Sequence, residues 1–290
     1  MTVINKILLF TPASKFKSKI LNLFGFSFLP SIIYLFTIIT KKILKRKNLD
    51  KINTKVFNFN ELNENGYLII ENFLNEKDLL KLEEEISIKQ SENPILEKND
   101  KSLPVMTLTK NLISSDILKN YFGPESQLFK FISISNGISS SLNPEIEYRE
   151  IINTDLKKNS FSDNQQLLHF DVTYNSYKAI FYLNEVNKKN GAFRIIPKSH
   201  KFDLKRFINE YLYGLSDKND KLEMLYKKDL KNLKSLEGKK NTLIIMNSKS
   251  LHSRGIFESP GLRKTLFIDF RFLNSILNIF SLYKLKKSDK

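Results

Sequence analysis

Two of the three histidines in this 290-residue chain stand in a pattern that can hold a metal ion. His169 and Asp171 form a His-x-Asp pair, and His252 follows 81 residues after Asp171. In a strand, residues i and i+2 point to the same face, so both side chains can coordinate one metal ion. Two imidazoles and one carboxylate leave coordination positions open, which suits non-haem Fe(II) oxygen chemistry. The chain has no Cys, so a thiolate metal site and a cysteine nucleophile are both excluded.

These side chains also have ordinary structural explanations. His169 and Asp171 can form a hydrogen-bonded pair without a metal, and His252 can be a buried structural histidine. A His-x-Asp pair alone is weak support for a metal site, because short patterns recur by chance.

The elements expected to position the triad are mainly short strands. Five runs are rich in β-branched or aromatic residues and bounded by turn signals: 129–135, 178–183, 192–196, 242–246 and 265–272. Asn190-Gly191 stands between two of these runs and predicts a hairpin. Residues 203–236 interrupt the strands with helical, charged sequence, and Gly214 is expected to end the first helix there.

The part of the chain before these strands predicts one strand and two helices. Residues 66–70 read as a strand, and Asn75 is placed to cap an amphipathic helix that follows. Residues 116–122 predict a second helix, ended by Gly123-Pro124. The segments 90–110, 137–164 and 201–240 are expected to be variable and to shape a pocket.

The sequence around the triad resembles the phytanoyl-CoA dioxygenase family of Fe(II)/2-oxoglutarate oxygenases. The similar stretch is QLLHFDVTYNSYKAIFYLNEVNKKNGAFRIIPKSHK, residues 166–201, with its His-x-Asp, Leu-Asn-x-Val, Asn-Gly and Pro-x-Ser-His. Leu251-His252-Ser253-Arg254-Gly255 resembles the family's distal histidine motif, and Arg263 lies eleven residues beyond His252. Residues 65–86 resemble the family's opening strand and helix, so the resemblance covers about residues 57–272.

The resemblance implies a mainly β fold with flanking helices (α+β). Its centre would be a double-stranded β-helix, a jelly-roll or cupin-like barrel. His169, Asp171 and His252 would be the catalytic ligands of Fe(II), and 2-oxoglutarate and O2 would be co-substrates. The products would be succinate and carbon dioxide. Because Asp171 stands where related halogenases have a small residue, hydroxylation is the expected outcome, with desaturation or ring closure as alternatives.

Arg263 and Thr265 are the expected 2-oxoglutarate contacts. Arg provides a planar, bidentate cation for the far carboxylate, and a hydroxyl two residues on can add a hydrogen bond. Arg263 as a surface salt-bridge residue is the alternative. Arg254 stands where the family often has a hydroxyl residue. The family's counterpart of His200 is not an iron ligand, so His200 is expected to be structural or to lie at the pocket rim.

The net charge of +16 is concentrated at the two ends of the chain. Residues 1–55 contain eleven Lys/Arg and one acidic residue, and residues 284–290 contain four Lys and one Asp. About +3 remains for everything between, whereas a nucleic-acid binder usually carries its basic surface on the folded domain. Nucleic acid is therefore not the expected partner, and the sequence implies no protein partner.

Residues 20–40 form a run of 21 uncharged residues with Lys/Arg clusters on both sides. A helix of that length reaches about 30 Å, the thickness of a bilayer's hydrocarbon core. Three interpretations remain open: a spanning helix, weakened by Pro30; a helix or bent hairpin in the interface; and a helix packed on the protein's own core.

The predicted organisation is an N-terminal hydrophobic, basic extension (1–55), an oxygenase domain (56–272) and an amphipathic basic tail (273–290). The domain is expected at the cytoplasmic face of a membrane, acting on a small-molecule, lipid or lipid-linked substrate. The alternative is a membrane-associated binding protein that keeps the fold but has lost catalysis.

Overall fold

The structure is a computed structural model that describes residues 56–92, 105–107, 115–136, 144–153, 165–171, 176–201, 203–214 and 221–270. The helices in these ranges are α1 (Phe59–Asn65), α2 (Glu76–Glu92), α3 (Asp116–Phe122), α4 (Gln127–Asn136), α5 (Leu204–Gly214) and α6 (Lys221–Leu225). The strands are β1 (Tyr67–Ile70), β2 (Val105–Thr107), β3 (Glu145–Asn153), β4 (Tyr177–Tyr182), β5 (Phe193–Ile195), β6 (Lys234–Leu236), β7 (Thr242–Asn247), β8 (His252–Ser253) and β9 (Gly261–Asp269).

The strands form two antiparallel sheets. The larger has the order β1-β7-β4-β9-β3-β2, and the smaller has the order β6-β5-β8. In the larger sheet β4 is central, because it pairs with β7 on one side and with β9 on the other. The fold is therefore a mixture of helices and antiparallel sheets, as the sequence predicts.

Each face of the larger sheet packs on a different layer. On one face Ala179 and Phe181 of β4 join a core that includes Leu82 of α2, Phe122 of α3 and Phe131 of α4. Side chains alternate along a strand, so the residues between them point to the other face.

On that second face the larger sheet packs against the smaller one. Ile180 and Tyr182 of β4 join a second core that includes Phe193 and Ile195 of β5 and Leu236 of β6. The space between the two sheets is where the predicted site residues lie.

The strand predicted for residues 129–135 is wrong, because these residues belong to helix α4. Apolar residues alternate there and mimic a strand, but Ser126 provides a helix cap. Its Oγ accepts a hydrogen bond from Phe129 N at 3.0 Å, and its carbonyl accepts one from Lys130 N at 3.0 Å.

Part of the segment 137–164, predicted to be a variable loop, is strand β3. Ile146 and Tyr148 are buried on the helix side of the sheet, while Glu147 and Arg149, which alternate with them, form an ion pair. The charged residues obscure this alternation in the sequence. The strand matters for the site, because it pairs with β9 along its whole length.

The hairpin predicted at Asn190-Gly191 is also wrong, because β4 and β5 lie in different sheets. The turn carries the chain from one sheet to the other, with Gly191 at φ +77°. The Asn190 side chain holds it by accepting from Asn187 N and donating to the Glu185 and Leu262 carbonyls.

Other predicted elements are confirmed. Asn75 Oδ1 accepts a hydrogen bond from Asp78 N at 2.9 Å at the start of α2, and α3 ends at Phe122 before Gly123. Within 203–236 the chain forms α5, which ends at Gly214, then α6, a short 3-10 helix and finally strand β6. Strand β9 begins at Gly261, four residues earlier than predicted.

The described residues contain no helix long and apolar enough to cross a bilayer. The uncharged run 20–40 and the predicted tail 273–290 lie outside the described residues.

Candidate metal centre and co-substrate pocket

The two histidines of the triad are held side by side by their backbones. His169 N donates to His252 O at 2.9 Å, and His252 N donates to His169 O at 2.8 Å. The ring centroids lie 4.4 Å apart. Backbone pairing of the His-x-Asp segment with β8 therefore brings together residues that are 83 positions apart in the sequence.

Each imidazole is oriented by the carbonyl two residues before it. His169 Nδ1 lies 2.8 Å from Leu167 O, and His252 Nδ1 lies 2.7 Å from Ser250 O. Because a carbonyl only accepts, Nδ1 of each ring carries the proton. The lone pair is then on Nε2, which is the arrangement that metal-binding histidines use.

Asp171 completes the group. One ligand atom from each of His169, Asp171 and His252 can be chosen so that all three lie within 4.8 Å of one another. His252 Nε2 is 3.6 Å from Asp171 Oδ2. Burial lowers the pKa of His252 to about 3, so its ring is neutral at pH 7. A neutral Nε2 and a carboxylate oxygen both offer electron pairs, and a cation between them stabilises the arrangement.

Lys178 of β4 makes an ion pair with the same carboxylate. Its Nζ lies 2.8 Å from Asp171 Oδ2. Burial by itself raises the pKa of Asp171, but the charge of Lys178 outweighs this and holds the pKa well below its usual range. Asp171 is therefore ionised at neutral pH, as a metal ligand must be.

Arg263 lies in β9 and is almost fully buried. One guanidinium N–H donates to the Gly191 carbonyl, and the guanidinium carbon is 5.8 Å from the centre of the Phe257 ring. Burial, with the nearby charges of Arg254 and Arg149, lowers the pKa of Arg263 to about 10. The residue is still charged at pH 7.

Arg263 lines a pocket that adjoins the metal centre through Phe193. Arg263, Thr265 and Tyr182 line it, and so does Phe193, whose ring stacks on His252 at 5.1 Å. Its other walls are Arg149, Ile151, Gln165, Ile180, Arg254 and Phe267. None of these lining residues is acidic. The pocket is therefore apolar along its sides and cationic, which fits an anionic ligand.

Tyr174, Tyr182 and Arg194 lie close to the triad motifs in the sequence. Tyr182 lines the pocket and donates to Leu236 O at 2.6 Å, whereas Tyr174 lies outside the described residues. Arg194 donates to the carbonyls of Gln166 and Arg254, and so joins the two segments that carry the histidines. Thr265 Oγ1 is 3.4 Å from Arg149 O.

His200 lies apart from the triad and is buried. Its Nε2 is 3.0 Å from Asn63 O, and a side chain at Gly66 would collide with its ring. Burial lowers the pKa of His200 from 6.5 to about 4. The unfolded chain therefore binds a proton between pH 6.5 and 4 that the folded chain does not bind.

We expect the fold to lose stability as pH falls through this window, with about 2 kcal/mol lost between pH 7 and 5 because of His200. The free energy of unfolding, measured in urea at both pH values, should depend less on pH in His200→Gln. Gln keeps a donor for the Asn63 carbonyl. Equal pH dependence in the variant and the wild type would contradict this account.

Several residues of the site are not evident from the sequence motifs. Gly191 holds Arg263 through its carbonyl, and Arg149 reaches the pocket from β3, which the sequence does not predict. Strand alternation could have identified Lys178 as a residue facing the site. Ile180 and Tyr182 lie two and four residues after it, so the three side chains share one face of β4.

The fold is similar to solved structures at low sequence identity. EctD from S. alaskensis in its apoform has a TM-score of 0.51 and 12% identity, over 73% of this chain and 75% of that chain. The same protein with bound Fe has a TM-score of 0.50 and 13% identity, over 73% of this chain and 75% of that chain. The epimerase SnoN, in complex with Fe3+, alpha ketoglutarate and nogalamycin RO, has a TM-score of 0.50 and 11% identity. The match covers 73% of this chain and 81% of that chain.

No protein-family model matches the chain, and no curated protein is similar to it in sequence. SnoN and EctD bind iron in those structures, and SnoN also binds alpha ketoglutarate. This chain has the same fold and brings His169, Asp171 and His252 together in a group that can hold a metal.

Proposed function

We propose that this chain is an Fe(II)- and 2-oxoglutarate-dependent dioxygenase of the phytanoyl-CoA dioxygenase family, built on a double-stranded β-helix. The observation that carries the proposal is the geometry of the triad. Two imidazoles have Nδ1 tied to carbonyls and Nε2 free to face Asp171. An anion-binding arginine at the end of an adjoining pocket adds the second requirement.

The protein's own contribution is binding and orientation. His169, Asp171 and His252 would hold Fe(II), and Arg263 would pair with the far carboxylate of 2-oxoglutarate, with Thr265 beside it. Bound Fe(II) and 2-oxoglutarate supply the oxidising chemistry with O2, and the products are succinate, carbon dioxide and an oxidised substrate. Hydroxylation of a C–H bond is the proposed reaction.

The pocket walls favour such chemistry because they are apolar. Ile180, Phe193 and Phe267 line the same pocket as Arg263. Apolar walls limit the entry of water and strengthen the electrostatic hold of Arg263 on a carboxylate.

The test is iron-dependent conversion of 2-oxoglutarate to succinate by the purified chain, with substrate absent and with candidate substrates added. Succinate that requires Fe(II) and is absent in Asp171→Ala would support the dioxygenase. A folded wild-type protein that binds metal but forms no succinate under any of these conditions would favour the alternative, a binding protein that has lost catalysis.

The proposed location is the cytoplasmic face of a membrane, and the proposed substrate is lipid-like. The uncharged run 20–40 with its flanking Lys/Arg supports this location. The described part of the chain adds a surface that fits it. Leu204, Ile208 and Leu212 of α5 are exposed and spaced four residues apart, so they form one apolar stripe.

Basic residues lie beside this stripe. Lys205 of α5 contacts Asp229 at 2.6 Å, next to the exposed Lys227, Lys228 and Lys231. An apolar stripe with lysines at its edge suits the surface of an anionic bilayer. Helix α6 packs near the segment that carries His169, because Glu223 of α6 accepts a hydrogen bond from Leu168 N at 3.1 Å. This surface therefore lies close to the candidate active site.

We predict that a probe on α5 reports contact with anionic lipid. The chain has no Cys, so Ile208→Cys can be labelled at one position with an environment-sensitive fluorophore. Phosphatidylserine vesicles should shift its emission to the blue, whereas the matched label at Ile88→Cys, exposed on α2, should not respond. A protein that does not pellet with vesicles, or that pellets with no shift at position 208, would overturn this surface as the membrane contact.

A further inference from the structure

Lys178 is a cation that contacts the metal triad. Its side chain comes from β4, on the same face as Ile180 and Tyr182, which line the pocket. Its Nζ contacts Asp171 Oδ2, the oxygen that also faces His252 Nε2. The side chain is only 20% exposed, so little water screens its charge.

Arg263 is a buried cation in the pocket that Ile180 and Tyr182 also line. Its strand, β9, pairs with β4, and Thr265 lies opposite Tyr182 in that pairing. One cation, Lys178, thus contacts the triad, and Arg263 lies in the adjoining pocket together with Arg149 and Arg254. A dicarboxylate bound to the metal through one carboxylate would place that group near Lys178 and its other carboxylate near Arg263.

The position of Lys178 also lowers the affinity that we expect for a divalent metal ion. A divalent ion held by Asp171 Oδ2 would lie close to the Lys178 ammonium, which contacts the same oxygen, and like charges at that range repel. An anionic ligand that joins the metal relieves this repulsion because it attracts both cations. The metal and the anion should therefore bind cooperatively, and the coupling should depend on the charge of Lys178.

We infer that Lys178 binds the near carboxylate of 2-oxoglutarate, so that the co-substrate is held by a cation at each end. The inference rests on the proposed function and adds to it a contact that neither the triad nor Arg263 implies. A merely structural Lys178, which only holds Asp171 in place, makes the opposite prediction for the metal. Removing a residue that orients a ligand weakens metal binding.

The experiment measures Co(II) affinity from its visible absorption, without and with 2-oxoglutarate, in wild type, Lys178→Met and Lys178→Arg. The Met variant should bind Co(II) alone about tenfold more tightly, because a like charge is gone. Its Co(II)-loaded form should bind 2-oxoglutarate at least about tenfold more weakly. The Arg variant, which keeps the charge, should stay close to the wild type in both measurements.

The outcomes separate this inference from the function it rests on. If Lys178→Met weakens Co(II) binding and leaves 2-oxoglutarate affinity unchanged, Lys178 only positions Asp171 and the inference fails. If Lys178→Met leaves both affinities unchanged, the inference also fails, while the dioxygenase assignment stands. If the folded wild type binds neither Co(II) nor 2-oxoglutarate, the proposed function itself fails.

Discussion

Replacing His252 with Ala is expected to lower the affinity for Fe(II) by more than about 100-fold and to abolish succinate formation. Loss of a residue that merely orients a metal ligand typically costs about 10- to 100-fold, and loss of a ligand should cost more. His252 is fully enclosed, so water cannot easily take the place of its Nε2.

The matched control is His200→Gln, a change at a second buried histidine outside the triad. It should keep the wild-type affinity for Fe(II), measured under anaerobic conditions at pH 7.5. Equal loss of iron binding in both variants would show that the effect reflects the fold, and retention in His252→Ala would show that His252 is not a ligand.

Replacing Arg263 with Met is expected to weaken 2-oxoglutarate binding by about 100-fold and to leave Fe(II) affinity nearly unchanged. Truncating one partner of a buried charged hydrogen-bonded pair costs about 2–5 kcal/mol, and 100-fold corresponds to about 2.7 kcal/mol. Arg263→Lys should give an intermediate loss, because Lys keeps the charge but cannot make the planar bidentate contact.

Lys264→Met is the control for this experiment. Lys264 is the next residue on β9, is more exposed, and lies near Glu150 rather than in the pocket. Its loss removes the same charge from the neighbouring position. Calorimetry with 2-oxoglutarate and Mn(II)-loaded protein should show wild-type affinity for Lys264→Met. Similar losses in the two variants would contradict a specific role for Arg263.

The sequence predicts the triad because the motifs around the His-x-Asp pair and around His252 resemble those of one family. His169 and Asp171 are two residues apart, and no Cys complicates the choice of ligands. The sequence also predicts β4 and β7, because their dense apolar runs admit few other structures. Asn75 and Gly123 mark helix ends by their own backbone and side-chain preferences.

The sequence does not predict features that depend on contacts between distant segments. The alternating apolar residues of α4 fit a strand as well as a helix, and only Ser126 distinguishes the two. Strand β3 looks like a charged loop until its pairing with β9 is known. Lys178 has no local signal for contact with Asp171, because the ion pair joins strand β4 to a residue outside that strand.

The most direct test of the central claim is an anaerobic titration of the protein with Fe(II) and 2-oxoglutarate, followed by visible absorption. Chelation of iron by 2-oxoglutarate gives a weak charge-transfer band. We predict this band in the wild type, its loss in His169→Ala, and its appearance only at much higher 2-oxoglutarate in Arg263→Ala. A folded, iron-loaded wild-type protein that gives no band would contradict the assignment of this chain as a 2-oxoglutarate-dependent dioxygenase.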